Sequence, residues 1–315
     1  MLNNNSHILV SICCITYNHA PFIRKALEGF LMQQPPTCVP KGAKLSDWCE
    51  ILIHDDCSTD GTDDIIREYA EKYPNVIFPL YEEENQFSRG GAGKMDLYNY
   101  NRVRGKYVAY CEGDDYWTDE HKLQKQVDWM EAHPDYSVCF HRVKHHYVNT
   151  DKYKDDRCGQ LLGHNDGVDI TPDIFFRAWY VQPLSMLFRT SMYDFSLPVQ
   201  YKYYRDSHEI YHLLKNGKGY IFSFVGGIYN RHKGGIASMI GQEQIFSDSF
   251  LIANELYEHN KDKYTRDYLA STLQWILDYD RFISKRKRMG YILHIFWLNG
   301  NVLKFMKNLR NLIMR

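Results

Sequence analysis

The chain contains 315 residues, with a formal net charge of −1 and 15% aromatic residues. This length accommodates one large domain, or one domain with an appendage. The balanced charge argues against a nucleic-acid-binding protein, so no nucleic acid partner is expected. Every apolar run is shorter than the roughly 20 residues that a helix needs to span a bilayer, and no transmembrane helix is predicted.

Eight cysteines are scattered along the chain, and none of them forms a Cys-X-X-Cys pair. The first seven residues are polar and lack the apolar core of a secretory signal peptide. We therefore expect free thiols and a cytoplasmic location, because disulfides do not persist in that reducing compartment.

Strands and helices alternate along the first part of the chain. Residues 8–15, 50–54 and 76–81 are short apolar runs typical of strands, and residues 23–31 and 62–73 carry the apolar period of helices. This order predicts an α/β fold with a mostly parallel sheet flanked by helices. Ligands of such sheets bind beyond the carboxyl ends of the strands.

Polar stretches follow three of the predicted strands, at residues 16–19, 55–60 and 112–115. The last of these follows the apolar strand 107–111 and places Glu112, Asp114 and Asp115 within four residues. Carboxylates at this density repel one another unless a cation lies among them, and oxygen ligands suit Mg²⁺ or Mn²⁺. The alternative interpretation is a polar turn after a strand.

Residues 82–101 are polar and rich in glycine, and they include Arg89. This segment is either a mobile loop over a phosphate or a solvated connection. An exposed insertion is expected over residues 149–167. The remaining predicted elements are helices over 119–132, 171–179 and 206–216, and strands over 136–140, 143–148, 185–189 and 220–225.

Strand patterns stop near Gly241, which predicts a domain over residues 1–240 and a helical appendage over 241–315. Helices are expected over 251–259 and 264–283, followed by the basic run 285–288. The last segment combines apolar residues with cations and is either a membrane-surface anchor or a helix that packs on its own domain. Its apolar side is predicted to hold Val302, Phe305, Met306, Leu309, Leu312 and Ile313, with charge from Lys304, Lys307, Arg310 and Arg315.

Four motifs occur in a characteristic order along the chain. They are Ser11-Ile12-Cys13-Cys14-Ile15-Thr16-Tyr17-Asn18, Asp55-Asp56-Cys57-Ser58-Thr59-Asp60-Gly61-Thr62, Glu112-Gly113-Asp114-Asp115-Tyr116-Trp117 and Tyr229-Asn230-Arg231-His232-Lys233-Gly234-Gly235. Together they resemble the motifs of glycosyltransferase family 2, which has the Rossmann-like GT-A fold. The resemblance spans roughly residues 8–240 and leaves the C-terminal helices uncovered.

The resemblance implies a nucleotide-sugar donor, a divalent metal and inversion at the anomeric carbon. Thr16, Tyr17 and Asp56 would hold the base and ribose, since a Tyr ring stacks and a carboxylate accepts from a base N–H. The full set expected to bind the donor is Thr16, Tyr17, Asn18, Asp55, Asp56, Arg89, Glu112, Arg231 and His232.

Asp114, Asp115 and His232 are the expected metal ligands, for Mn²⁺ or Mg²⁺ bridging the diphosphate of a UDP-sugar. Glu112 stands where the family usually has Asp, which leaves its direct contact with the metal open. Asp206 is the expected general base at the start of a helix, with Glu209 one turn further as the reserve. An ordinary N-cap is the alternative role for Asp206.

The expected function is transfer of a hexose or N-acetylhexosamine to a glycan or lipid-linked acceptor in surface polysaccharide biosynthesis. The enzyme would be cytoplasmic, or peripheral at the inner face of the membrane through its basic C-terminal helix. A sugar nucleotidyltransferase is one alternative, although residues 16–21 lack the Gly-rich basic loop typical of that class. A non-catalytic glycan-binding protein on the same fold is another.

Overall fold

The computed structural model describes residues 8–91, 95–178, 180–235, 241–280 and 283–314. The polar residues 1–7, Trp179 at the end of a predicted helix, and Arg315 lie outside the described residues. The chain divides into two compact units. The first comprises Met1–Gln200 and Asp206–His232, and the second comprises Tyr201–Arg205 and Lys233–Arg315.

A ten-stranded mixed sheet forms the centre of the first unit. Its main path has the order β3-β2-β1-β4-β9-β6-β10-β5, with β7 paired to β6 and β8 paired to β10. The strands are β1 (Val10–Thr16), β2 (Cys49–Asp55), β3 (Ile77–Tyr81), β4 (Tyr107–Tyr110), β5 (Tyr116–Trp117), β6 (Tyr136–Tyr147), β7 (Lys152–Asp155), β8 (Gly167–Ile170), β9 (Leu187–Arg189) and β10 (Lys218–Arg231).

The strands β3, β2, β1 and β4 are parallel neighbours, as their alternation with helices predicts. Thr16 at the end of β1 lies opposite Asp55 at the end of β2, so the polar segments that follow both strands begin at one edge. All seven residues of β2 are buried, including the polar residues Glu50, His54 and Asp55. Beyond β4 the sheet becomes mixed, because β9 lies antiparallel between β4 and β6.

Helices cover the sheet of the first unit, and three of the described ones, at residues 95–100, 158–162 and 197–200, were not predicted. The helix α3 forms inside the segment expected to be a loop, because Met95, Asn99 and Tyr100 are buried on one side of it. The Asn99 amide also donates to the Cys14 carbonyl, so a polar residue serves the core there. The described helices of this unit are α1 (Ile23–Leu31), α2 (Thr62–Lys72), α3 (Met95–Tyr100), α4 (Lys122–Ala132), α5 (Cys158–Leu162), α6 (Pro172–Arg177), α7 (Leu197–Gln200) and α8 (Asp206–Asn216).

Two other predictions about the first unit were wrong. The strands predicted over 136–140 and 143–148 are the single strand β6, in which His141 is buried, although the register with β10 shifts between Phe140 and Arg142. The expected exposed insertion contains β7 and α5, of which α5 buries Cys158 and Leu162. The polar composition of residues 149–167 gave no apolar pattern from which these short elements could be predicted.

The described part of the second unit contains the helices α9 (Gln242–Asn260), α10 (Lys263–Tyr279), α11 (Lys285–Asn299) and α12 (Val302–Met314). They enclose a core that includes Leu269, Leu273 and Ile292. The predicted apolar side of α12 lies partly in this core, since Leu312 is buried and Phe305 packs against it, as the packing alternative expects. Among the described residues, no helix is both long and apolar enough to cross a bilayer.

Candidate active site

The segments that follow β1 and β2 bind each other through hydrogen bonds. The Asn18 backbone N–H donates to Ser58 Oγ at 2.9 Å, and Asn18 Oδ1 accepts from the Thr59 N–H at 2.8 Å. The His19 N–H donates to Thr62 Oγ1 at 2.9 Å. Asn18 adopts a positive φ of 54°, which its short polar side chain tolerates. The Asn18 side chain, predicted to bind the donor, therefore also connects the two loops.

Asp55 and Asp56 are buried at the end of β2 and accept hydrogen bonds. Asp55 Oδ1 accepts from the Ser58 hydroxyl at 2.5 Å, so it shapes its own turn. Asp56 accepts from the backbone N–H groups of Gln86 at 2.6 Å and Phe87 at 3.0 Å. Burial raises the pKa of both carboxyls, and these hydrogen bonds oppose the rise. A carboxylate can accept about four hydrogen bonds, so Asp56 retains capacity for a ligand.

Tyr17 and Arg89 are the exposed members of the predicted donor set on this side. The Tyr17 side chain is 43% exposed, which leaves its ring accessible for stacking. Arg89 lies in the turn Phe87–Gly91 and forms an ion pair with Glu84 at the surface. Thr16 is buried at the end of β1, so its side chain supports the site from within.

The acid motif after β4 is packed against the end of β1. A Cβ on Gly113 would lie 2.5 Å from Thr16 Oγ1, so only glycine fits at this position. Asp115 Oδ1 accepts from the Asn230 N–H at 2.7 Å, and the Asn230 amide donates to the Asp114 carbonyl at 2.6 Å. The end of β10 is therefore bound directly to the acid motif, although the two are far apart in sequence.

Two groups of side chains around Asp114 have the spacing of metal ligands. Glu112, Asp114 and Asp115 form one group, and His19, Asp114 and His232 form the other, each with ligand atoms within 4.8 Å of one another. His232 Nε2 lies 2.9 Å from Asp114 Oδ2, and His19 Nε2 lies 3.8 Å from the same oxygen. Ligands at right angles around an ion at about 2.1 Å are about 3 Å apart, so these residues fit a divalent cation.

The protonation of the acid motif differs from residue to residue. Burial raises the pKa of Glu112 well above its usual range, and the charges of Asp114 and Asp206 add to this rise. Burial also raises the pKa of Asp115. Burial acts in the same direction on Asp114, but the hydrogen bond with His232 and the charge of His19 outweigh it, and its pKa is lowered. Asp114 is therefore the ionised ligand of the motif.

The predicted base and its reserve lie at the start of α8, and their surroundings differ. Asp206 Oδ1 accepts from the Ser207 N–H at 2.8 Å, and Asp206 is only partly buried. Glu209 is buried and accepts a hydrogen bond from the Tyr100 hydroxyl. The charge of Asp206 contributes to the raised pKa of Glu112, so the acid motif and the start of α8 belong to one electrostatic neighbourhood.

Asp96 on α3 is a member of this neighbourhood that the sequence did not indicate. Burial and the charge of Asp206 raise its pKa to about 6, although a hydrogen bond from Tyr110 opposes the rise. Its Oδ1 atom is buried without a hydrogen-bond partner among the described residues. The segment was interpreted as a loop, so Asp96 was not among the predicted site residues.

Arg231 is placed less centrally than His232. Its side chain is exposed, and Nε donates to His145 Nδ1 at 3.4 Å. Its guanidinium also lies 5.6 Å from the centroid of the Tyr229 ring. These contacts hold Arg231 at the rim of the sheet edge.

Acids and imidazoles at the strand ends of a Rossmann-like sheet are typical of nucleotide-sugar-dependent glycosyltransferases with the GT-A fold. The family model described as glycosyl transferase family 2 matches residues 11–195. This match covers more than half of the chain, which therefore belongs to glycosyltransferase family 2. The resemblance deduced from the four motifs is confirmed.

Relatives and solved structures agree with this family. TuaG of Bacillus subtilis strain 168, described as a teichuronic acid biosynthesis glycosyltransferase, is 37% identical over 122 residues, covering 39% of this chain and 42% of TuaG. WfaP of Escherichia coli, a UDP-Glc:alpha-D-GlcNAc-diphosphoundecaprenol beta-1,3-glucosyltransferase, is 29% identical over 143 residues, covering 45% of this chain and 48% of WfaP. The chain thus matches less than half the length of these curated relatives.

The structure of S. aureus TarS 1-349 in complex with UDP-GlcNAc matches with a TM-score of 0.65. The sequence identity is 16%, and the match covers 97% of this chain and 90% of that chain. At this identity the likeness establishes the fold. The predicted GT-A fold with a C-terminal helical region is confirmed.

Proposed function

We propose that this protein is a metal-dependent, inverting glycosyltransferase that moves a hexose or N-acetylhexosamine from a UDP-sugar to an acceptor hydroxyl. The observation that carries the proposal is that the candidate metal ligand Asp114 and the candidate base Asp206 both act electrostatically on Glu112. Its pKa is raised by burial and by the charges of both Asp114 and Asp206. The charges of the candidate metal ligand and of the candidate base both act on Glu112, which supports placing the two at one site, as direct displacement needs.

The donor would bind along the edge formed by β1, β2 and β4. The exposed Tyr17 ring would stack on the base, and Asp56 would accept a hydrogen bond from a base N–H. Thr16, Asn18 and Asp55 would hold the loops that carry these contacts. Arg89 and Arg231 would offset diphosphate charge at the rim. UDP is favoured as the nucleotide because the neighbouring TarS structure contains UDP-GlcNAc.

Asp114 and His232 would hold Mn²⁺ or Mg²⁺. Asp115, which accepts a hydrogen bond from the Asn230 N–H, would support them. When bound, the metal supplies positive charge against the leaving diphosphate. Glu112 would assist from its buried position. Asp206 would take the proton from the acceptor hydroxyl as that oxygen forms its bond to the anomeric carbon. Glu209 is less suited to this role because it is buried and bonded to Tyr100.

The acceptor would be a glycan or lipid-linked sugar in surface polysaccharide biosynthesis. The names of TuaG and WfaP support this class of acceptor, the second through its diphosphoundecaprenol substrate. Such an acceptor lies at a membrane surface, which agrees with the proposed peripheral location. The catalytic domain would be residues 1–240, with residues 241–315 as the region that contacts the membrane.

Donor turnover tests the proposed function. The full chain is incubated with separate UDP- and GDP-sugars and Mn²⁺, with and without a chelator, and free nucleotide is measured. We expect slow release of UDP from one UDP-sugar without an acceptor, and loss of that release with the chelator. Release of pyrophosphate from UTP and a sugar phosphate would indicate a nucleotidyltransferase. Absence of turnover and of binding for every donor would contradict the enzyme assignment.

The second unit carries the charge and the apolar surface that suit an anionic membrane. Nine of the 38 Lys and Arg residues and none of the 39 acids fall in residues 281–315, so this segment carries +9 and the remainder −10. Apolar side chains around the turn between α11 and α12 are exposed, among them Trp297 at 69% and Leu303 at 85%. This tip patch consists of Leu293, Phe296, Trp297, Val302, Leu303 and Met306.

We expect the double variant Trp297→Ser/Leu303→Ser to bind anionic vesicles at least about tenfold more weakly, because each buried apolar side chain contributes about 1.5–3 kcal/mol. Sedimentation with phosphatidylglycerol vesicles measures the binding. Val199→Ser, which removes an exposed apolar side chain of the first unit, is the matched control and should not change it. Equal binding by the double variant would rule out the tip patch as the contact.

A further inference from the structure

His19 lies beside the candidate metal ligand Asp114, although it was not among the expected ligands. Its Nε2 atom lies 3.8 Å from Asp114 Oδ2, which is too long for a hydrogen bond. The ring of His232 approaches the same oxygen from β10, and the two imidazole centroids are 6.2 Å apart in an edge-to-face arrangement. Two imidazoles and one carboxylate therefore converge on one point.

The orientation of His19 is fixed from behind. Its Nδ1 atom lies 3.1 Å from Thr16 Oγ1, and its backbone N–H donates to Thr62 Oγ1. When Nδ1 carries the proton and donates it to Thr16, the lone pair of Nε2 points into the site, as in metal-binding histidines held by an outer hydrogen bond.

The acidic group of ligands is less open to a metal. Asp115 is buried, and its Oδ1 atom already accepts a hydrogen bond from the Asn230 N–H. His19 and His232 each present one ring nitrogen toward Asp114 at distances typical of ligands that share an ion. His19, Asp114 and His232 are therefore the better candidates for direct metal ligands, and Glu112 is a neighbouring carboxylate.

We propose that His19 is a third protein ligand of the metal, forming with Asp114 and His232 a two-imidazole, one-carboxylate centre that selects transition-metal ions over Mg²⁺. This inference rests on the proposed metal-dependent function and specifies the metal class. Imidazole nitrogen suits first-row transition-metal ions, with affinity that rises from Mn²⁺ toward the heavier divalent ions, whereas Mg²⁺ prefers oxygen ligands in near-ideal octahedral geometry. The remaining coordination positions would take the diphosphate oxygens of the donor.

Pulsed EPR of Mn²⁺ bound to the full chain tests the ligand set, because it detects directly coordinated nitrogen. We expect two bound nitrogens in the wild-type protein, one in His19→Ala and one in His232→Ala. The Mn²⁺ affinity should fall about 10–100-fold in His19→Ala, and the preference for Mn²⁺ over Mg²⁺ in competition titrations should shrink by a similar factor. His121→Ala is the control, since that exposed side chain forms a hydrogen bond with Gln124 and an ion pair with Glu120.

The outcomes separate this inference from the proposed function. One bound nitrogen in the wild-type protein, or an unchanged nitrogen signal in a folded His19→Ala variant, would overturn the role of His19 while leaving the enzyme assignment intact. Circular dichroism melting establishes that the variant is folded, and the wild-type nitrogen count stands without any variant. A wild-type protein that neither binds Mn²⁺ nor releases UDP from any donor would contradict both.

Discussion

Asp206→Asn is expected to lower the rate of sugar transfer about 10²–10⁴-fold while leaving donor and Mn²⁺ affinities within about twofold. The amide has the size of the carboxylate and can still accept from the Ser207 N–H, but it cannot take a proton. The position at the start of α8 favours the ionised form of the native carboxylate, since a helix N-terminus stabilises negative charge. Initial rates with a turned-over donor, together with calorimetric donor titration, measure both quantities.

Glu209→Gln is the matched comparison for this variant. Glu209 lies on the same helix but is buried and accepts from the Tyr100 hydroxyl, a bond that glutamine can keep. We expect its effect on transfer to be much smaller than that of Asp206→Asn. Unchanged transfer by Asp206→Asn, or a larger loss in Glu209→Gln, would remove Asp206 as the base.

Lys122→Met is expected to stabilise the protein by about 2–3 kcal/mol near neutral pH. Lys122 is fully buried at the start of α4, and its Nζ has no hydrogen-bond partner among the described residues. Burial lowers its pKa from 10.5 to about 7, although the nearby Cys111, Cys139 and Cys49 thiols oppose the change. The Nζ atom lies 3.7 Å from the Trp117 ring centroid, and this attraction offsets part of the cost.

The pH dependence of this stabilisation has a definite sign. Between the folded pKa of about 7 and the unfolded value of 10.5, the unfolded chain binds more protons than the folded protein. Stability of the native protein therefore rises with pH across that window and is lowest at and below about pH 7. Methionine does not titrate, so the advantage of Lys122→Met should be largest near pH 6.5 and shrink by about pH 9.5.

Urea unfolding at these two pH values measures the free energy of unfolding. Lys125→Met is the control, because Lys125 is exposed and pairs with Asp119, and its effect should stay within about 0.5 kcal/mol. A stability difference for Lys122→Met that is the same at both pH values would contradict a buried, neutral lysine. So would a less stable variant near pH 6.5.

The parallel half of the sheet was predictable because its signals are local. The buried runs of β1, β2 and β4 are continuous, and each is followed by a polar motif at the strand end. The helix α3 was not predictable, since Asn99 occupies an interior position through a hydrogen bond to the Cys14 carbonyl. A polar residue that serves the core through a distant partner leaves no apolar period.

Site residues within sequence motifs could be predicted, whereas a residue that reaches the site only through contacts between distant segments could not. Asp114, His232 and Asp206 were expected to act together, and the structure places the first two in contact and the third in electrostatic reach of Glu112. His19 was not among the residues predicted to bind the metal. Its proximity to Asp114 arises from the hydrogen bonds between the loops after β1 and β2, which no local pattern reveals.

Calorimetric titration with UDP-GlcNAc, in Mn²⁺ and again with a chelator, tests the central claim most directly. The claim is that the ligands around Asp114 hold a metal that binds the donor diphosphate. We predict a dissociation constant in the range of about 1 μM–1 mM with Mn²⁺, and affinity at least about tenfold weaker with the chelator. Equal affinity in both conditions would contradict a metal-dependent donor site.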